Sequence, residues 1–238
     1  MVLCAGVCTA ARRHPGPWTR VVARVLAVVL VANLVVWQVV TVAGGAWSAA
    51  ADLQVDLCPV AALVAAAALW RPRPLLVELA YFWGCAGTIQ GLLQPDLRYH
   101  FPSYWYFEFY VTHSGVVLAA LLLVVGLRLT PRPHAVRRVF AITVAFTCLA
   151  AIADVVTGGN YMYLRSKGPA GTLLDLMGPW PWYIGTGALL ALLLLLLLDA
   201  PFRPVRAAQA SRPPAGAGDG DAGHDRPVAA AGGRARCG

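Results

Sequence analysis

Residues 20–42 read Arg-Val-Val-Ala-Arg-Val-Leu-Ala-Val-Val-Leu-Val-Ala-Asn-Leu-Val-Val-Trp-Gln-Val-Val-Thr-Val. The run Val21–Val42 is long enough to cross a bilayer as a helix, which takes about 20 apolar residues. Arg12, Arg13, Arg20 and Arg24 precede or enter it. The run is too long for a signal-peptide core and no cleavage signal follows, so it reads as a retained signal anchor held by its arginines. Five further stretches qualify or nearly qualify: Leu53–Trp70, Leu75–Leu93, Tyr104–Leu129, Val136–Thr157 and Pro181–Ala200. Helix is the local structure expected of all six, because an open strand leaves backbone groups unpaired in lipid. Leu192–Leu198 is unbroken leucine, so the last helix has no polar face and is expected outside the bundle.

Composition agrees. Of 238 residues, 59% are hydrophobic and 13% charged, where a soluble domain keeps about a quarter charged. The fold class expected is an all-α membrane protein, a six-transmembrane-helix bundle with both termini inside. Its expected parts are a cytoplasmic N-terminal tail over 1–19, a membrane domain over 20–202, and a disordered cytoplasmic tail over 203–238. That tail is rich in Ala, Gly, Pro, Asp and Arg and cannot bury enough apolar surface to order itself.

The net charge of +8 invites a nucleic-acid partner, and the placement of the charges argues against one. Segments expected inside carry twelve arginines: Arg12, Arg13, Arg20, Arg24, Arg71, Arg73, Arg128, Arg132, Arg137, Arg138, Arg203 and Arg206. Those expected outside carry three basic residues, Arg98, Arg165 and Lys167. The bias alternates at every loop, as topology determinants do. Membrane lipids are therefore the expected partners and oligomeric state is left open. The excess of Ala, Arg and Pro over Lys points to a GC-rich genome, hence a bacterial cytoplasmic membrane crossed several times. Cys4 and Cys8 are four apart without nearby partner ligands, so no metal or cofactor is expected.

Polar residues inside membrane helices are costly and each is a functional candidate. Gln38, Asp56, Cys58, Gln90, His113, Asp154 and Asn160 gather in the half expected outside, and the other half offers little besides Glu78. Glu78 reads as an interfacial acid paired with Arg71 and Arg73, and Glu108 as a solvated acid beside aromatics. His113 lies about 13 Å along its helix from the external end. It is either a base, a transport or metal ligand, or a histidine satisfied by neighbouring helices. Cys58 is either a nucleophile or a small buried apolar group. Asp56 stands about 200° around the helix from Cys58 and so does not share its face. Asp56 or Asp154 is the expected orienting carboxylate, Asp154 for His113. No phosphate loop, GxSxG elbow, HExxH or paired CxxC is present.

The stretch Glu78-Leu-Ala-Tyr-Phe-Trp-Gly-Cys-Ala-Gly-Thr-Ile-Gln90, with Gln94-Pro-Asp-Leu, Phe101-Pro102 and His113, resembles the YwaF-type integral membrane proteins. So do Gly159-Asn-Tyr-Met-Tyr-Leu164, Leu174-Asp175 and Gly178-Pro-Trp-Pro-Trp-Tyr183. The resemblance covers roughly residues 20–202. That family is similar to animal transmembrane acyltransferases that build polyunsaturated ether phospholipids through a cysteine and a histidine. The resemblance implies a phospholipid acyltransferase or acyl hydrolase, with those roles on Cys58 and His113. Where the family pattern often has Pro-Leu-His-Leu-Cys, this chain has Gln54-Val55-Asp56-Leu57-Cys58, so Asp56 stands in place of a histidine. The rival readings are a non-catalytic membrane scaffold and a small-solute or proton transporter.

Overall fold

The computed structural model describes residues 2–95, 100–168 and 173–210, all of them helix, turn or loop. Arg98 and Tyr99, expected at an external boundary, lie outside the described residues. The chain divides into two units, Met1–Arg203 and Pro204–Gly238. Of the expected disordered tail only its start is described, where a helix covers Arg203–Ala210. Residues 211–238 lie outside the described residues.

In the first unit the helices are α1 (Val2–Arg13), α2 (Pro17–Ala43), α3 (Leu57–Trp70), α4 (Pro74–Leu93), α5 (Tyr104–Gly126), α6 (Ala135–Thr157) and α7 (Trp182–Asp199). Prolines open α2 and α4, where a missing N–H costs no hydrogen bond. The Ser103 hydroxyl caps α5 by accepting from the Tyr106 amide at 3.3 Å. Five segments are long and apolar enough to cross a membrane: Pro17–Ala43, Pro74–Leu93, Tyr104–Gly126, Ala135–Thr157 and Trp182–Ala208.

The sixth expected span is shorter than its sequence implies. α3 begins at Leu57, with 14 residues, so it is about 21 Å long, against about 30 Å of hydrocarbon. Leu53–Asp56 stay outside the helix because their polar groups are engaged elsewhere. The Leu53 amide donates to the Tyr161 hydroxyl at 3.0 Å, and Asp56 receives an amide from a distant loop. Residues 1–19, expected as a tail, fold as α1 and the start of α2. Cys8 and Ala11 on α1 are buried against the end of α5.

α3 lies at the centre, packed against α2, α4 and α5. Its Ala61, Ala62, Ala65 and Ala68 are fully buried. Such small side chains let helix backbones approach, which is how membrane helices gain contact when lipid offers no hydrophobic drive. α6 and α7 are peripheral, with Val155, Val156, Leu189, Leu193 and Leu197 exposed, as expected for the leucine-only helix. Two π-helical segments interrupt the inner helices, at Trp83–Thr88 and Leu122–Gly126. In the first, the Thr88 hydroxyl returns to the Trp83 carbonyl at 3.4 Å, and the Trp83 indole donates to Thr143 of α6 at 2.8 Å.

Glu78 is fully buried on α4, and its partners are not Arg71 and Arg73. Arg132 donates from Nε at 2.9 Å and from its backbone amide at 3.1 Å; Arg138 donates at 2.8 and 3.1 Å. The reason is position: Arg132 and Arg138 flank the turn into α6, which crosses beside α4, whereas Arg71 and Arg73 precede α4 and point to solvent. One carboxylate thus fixes the loop before α6 to the inner helix. Glu78→Gln removes the charge both guanidinium groups were placed for. Because both arginines are part-exposed, the expected loss is about 2 kcal/mol rather than the roughly 3–5 of a fully buried pair. A fall of several degrees in the thermal midpoint in detergent checks it; Arg71→Gln is expected to leave the midpoint unchanged.

Candidate functional site

His113 is buried on α5. Its Nδ1 lies 2.8 Å from the Phe109 carbonyl one turn back, and its ring stacks on Phe109 with centroids 3.9 Å apart. A carbonyl only accepts, so Nδ1 carries the proton and a neutral ring keeps its lone pair on Nε2. Among the described residues Nε2 has no hydrogen-bond partner. The ring faces Gly91 of α4 closely: a Cβ at Gly91 would meet Cδ2 at 2.8 Å and Nε2 at 3.0 Å. Glycine is needed there to admit the imidazole.

Cys58 occupies the first turn of α3, which packs on the π segment of α4: a Cβ at Gly87 would lie 3.2 Å from Leu57 Cδ2. Pro59 follows at a position whose amide has no helical acceptor, so the turn forms without loss. Gly87 and Gly91 are about one turn apart on α4. The start of α3, which carries Cys58, and the His113 ring thus each lie against α4, at Gly87 and at Gly91.

The two acids do something other than orient the histidine. Among the described residues neither bonds to His113. Asp154 is buried near the end of α6, and its Oδ1 accepts the Tyr161 amide at 2.6 Å. Asp56 Oδ1 accepts the next amide, Met162, at 2.7 Å. Consecutive N–H groups of the short 3-10 turn Tyr161–Tyr163 are thus held by carboxylates from two different segments, with Met162 in the left-handed region (φ +53°). The Tyr161 hydroxyl donates to the Ala49 carbonyl at 2.8 Å, and the Tyr183 hydroxyl of α7 donates to the Tyr163 carbonyl. Gly159 passes so close to the Ala50 carbonyl that a Cβ would lie 2.5 Å from it. Burial, with Asp56, Asp52 and Asp154 nearby, pushes the Tyr161 phenol above its ordinary value, so it stays a donor. This turn is a plug joining α3, α6 and α7.

The remaining polar residues are likewise occupied. Gln38 donates to the Asp52 carbonyl at 2.8 Å and accepts from Trp47 at 3.0 Å; Gln90 donates to Ala86 within its own helix. Asn160 bonds the backbone of Arg165 and Ser166. Sequence reasoning missed Asn33, whose amide reaches Thr112 at 2.7 Å and Glu108 at 3.3 Å. Glu108 also accepts from Thr112 at 3.0 Å, so it is a bound helix-crossing acid rather than a solvated one. The signal was available: an asparagine in mid-span seeks a partner on another helix.

Residues 1–199 match the TMEM164 family of proteins. No curated protein and no solved structure matches. The match takes in residues 1–19, which the resemblance read from the sequence left out. It supports a transmembrane family and carries neither the YwaF-type label nor the likeness to acyltransferases. With five membrane-long apolar helices and a match across almost the whole helical unit, the chain is a membrane protein of the TMEM164 family.

Proposed function

We propose that this protein is a lipid acyltransferase or acyl hydrolase whose reacting groups are Cys58 and His113. The observation that carries the reading is His113 Nε2, which has no partner among the described residues and lies against Gly91 of α4, one turn from Gly87, where the start of α3 with Cys58 packs. In the first step Nε2 takes the thiol proton and the sulfur attacks a lipid ester carbonyl. The C–O bond of the ester breaks, and the leaving alkoxide takes its proton from the imidazolium. An acyl thioester on Cys58 and a lysolipid result. In the second step Nε2 takes the proton of an acceptor hydroxyl or of water, whose oxygen attacks the thioester, and sulfur leaves to recover the proton. The first-turn amides of Leu57 and Cys58 are the donors available to the oxyanion. Asp56 and Asp154 are positioning residues in this scheme: they hold the plug above the start of α3.

The rival reading is a non-catalytic scaffold, and one observation favours it: both acids are committed to backbone amides. Lipid mass spectrometry on proteoliposomes of mixed phospholipids separates the two. Acyl exchange or release is expected from wild type and lost, by at least about 100-fold, in His113→Ala, as for a general base. Cys58→Ala is expected to lose it too. Gly91→Ala keeps both reactive groups but displaces the ring, and is expected to lower the rate while leaving the protein folded. No turnover in any folded sample leaves the scaffold reading.

The acids give a different signature. Asp154→Ala orphans the buried Tyr161 amide, at a cost of about 1–3 kcal/mol. It is expected to lower the thermal midpoint clearly, whereas Cys58→Ala changes it little.

For topology we propose six crossings with both termini inside a bacterial cytoplasmic membrane, α3 crossing with help from the plug. The arginine bias supports it. In a background without native cysteines, Lys167→Cys is expected to react with an impermeant maleimide on intact cells. Arg71→Cys is expected to react only after lysis; the reverse pattern would invert the orientation.

A further inference from the structure

A groove of about 520 Å³ runs between α2 and α3 on the outer surface of the unit. Ala27, Ala32 and Val35 line it from α2, and Leu63, Ala67 and Trp70 from α3. From Ala27 to Val35 it follows about 12 Å of α2. Val35, Leu63 and Trp70 are exposed beside it, so it opens toward the bilayer. The wall is almost wholly apolar, and Ala27, Ala32 and Ala67 keep it open between the larger side chains.

One end of this slot is strongly basic. Arg24 lies one turn before Ala27 and Val28 on the same face of α2, and its guanidinium sits 5.7 Å over the Trp70 ring. Arg71 follows Trp70 directly; Arg20 and Arg73 lie beyond. All four are exposed, and among the described residues none is in an ion pair. Elsewhere the molecule does provide acids for its arginines: Glu78 takes Arg132 and Arg138, and Asp199 takes Arg203. Four cations without a protein counter-charge, at the mouth of a chain-width apolar slot within a membrane, call for an amphiphile with a negative head.

We propose that this groove binds an anionic phospholipid, one acyl chain lying along α2 and α3 and the phosphate between Arg24 and Arg71. Close dispersion contacts hold the chain, since lipid and groove are equally apolar. The arginines choose the head, each worth about 1 kcal/mol toward an acidic lipid surface. The site is at the opposite end of α3 from Cys58, twelve residues or about 18 Å away. It rests on membrane residence alone and not on the acyl-transfer reading.

The test uses the full chain purified in detergent, delipidated, and offered phosphatidylglycerol or phosphatidylcholine with identical acyl chains. Native mass spectrometry reads how much of each stays bound. Wild type is expected to keep one phosphatidylglycerol in clear preference to phosphatidylcholine. Arg24→Gln and Arg71→Gln are each expected to weaken that preference about fivefold. Ala32→Phe and Ala67→Phe fill the slot from its exposed side and are expected to reduce binding of both lipids. Circular dichroism and size exclusion confirm that each variant is folded. Equal retention of the two lipids by wild type overturns the head-group assignment. Phosphatidylglycerol kept in full by Ala67→Phe and Ala32→Phe overturns the groove as its seat.

Discussion

The amides of Tyr161 and Met162 face a place where water is scarce, and each is received by a carboxylate, Asp154 from α6 and Asp56 from the approach to α3. Non-helical backbone at membrane depth survives only where protein satisfies its polar groups. In the turn 159–164 side chains from several elements meet that need. Tyr161 ties it to Ala49 and Leu53, Tyr183 to α7, and the Trp180 indole donates to the Leu164 carbonyl. Remove the two acids and the start of α3, the end of α6 and the entry to α7 lose their common anchor.

From this anchor follows the most unusual feature of the bundle, a central helix too short to cross alone. α3 begins at Leu57 because Asp56 is turned toward Met162, and the plug fills the depth that the missing turns would have occupied. The consequence for chemistry is that Cys58 falls in a first helical turn, where the N–H groups have no intrahelical acceptors. A cysteine four residues deeper would have no such donors around it. The same shortening leaves the start of α3 packed on α4 at Gly87, one turn from Gly91, where the His113 ring meets that helix.

Much of this was legible in the sequence. Apolar length placed the helices to within a few residues, and unbroken leucine put α7 at the periphery. What hydropathy does not encode is which partner each polar group finds. Asp154 read as the carboxylate for His113 and Asp56 as one orienting a neighbour, and the donors each accepts from among the described residues are amides of a turn that looks like a loop. Glu78 sits four to seven residues from Arg71, Arg73 and Pro74 in sequence, yet it pairs across the fold with Arg132 and Arg138. Asn33 was overlooked because one amide in a valine-rich run does not change the hydropathy of the run. Residues 1–19 read as a tail because Arg12, Arg13 and the Pro15–Pro17 segment mask a preceding helix, Val2–Arg13, whose buried residues among those described are Cys8 and Ala11.

These assignments sharpen the asymmetry between the two ends of the bundle. At the Glu78 end the buried charge is closed: one carboxylate, two guanidinium groups and a backbone amide leave no lone pair aimed at an open path, which weighs against a proton or solute route through the full depth. At the other end almost every polar group is also closed, by backbone. Gln38, Gln90 and Asn160 have partners and each acid holds one backbone amide, while the buried Oδ2 of Asp154 has none among the described residues. His113 differs in kind, because one nitrogen is fixed by Phe109 and that bond determines the state of the other. A histidine serving only to join helices would be expected to use both nitrogens across an interface. This one bonds within its own helix at Nδ1, and its Nε2 lies against Gly91 of the next without a hydrogen-bond partner among the described residues. That feature is what the proposed general-base role rests on.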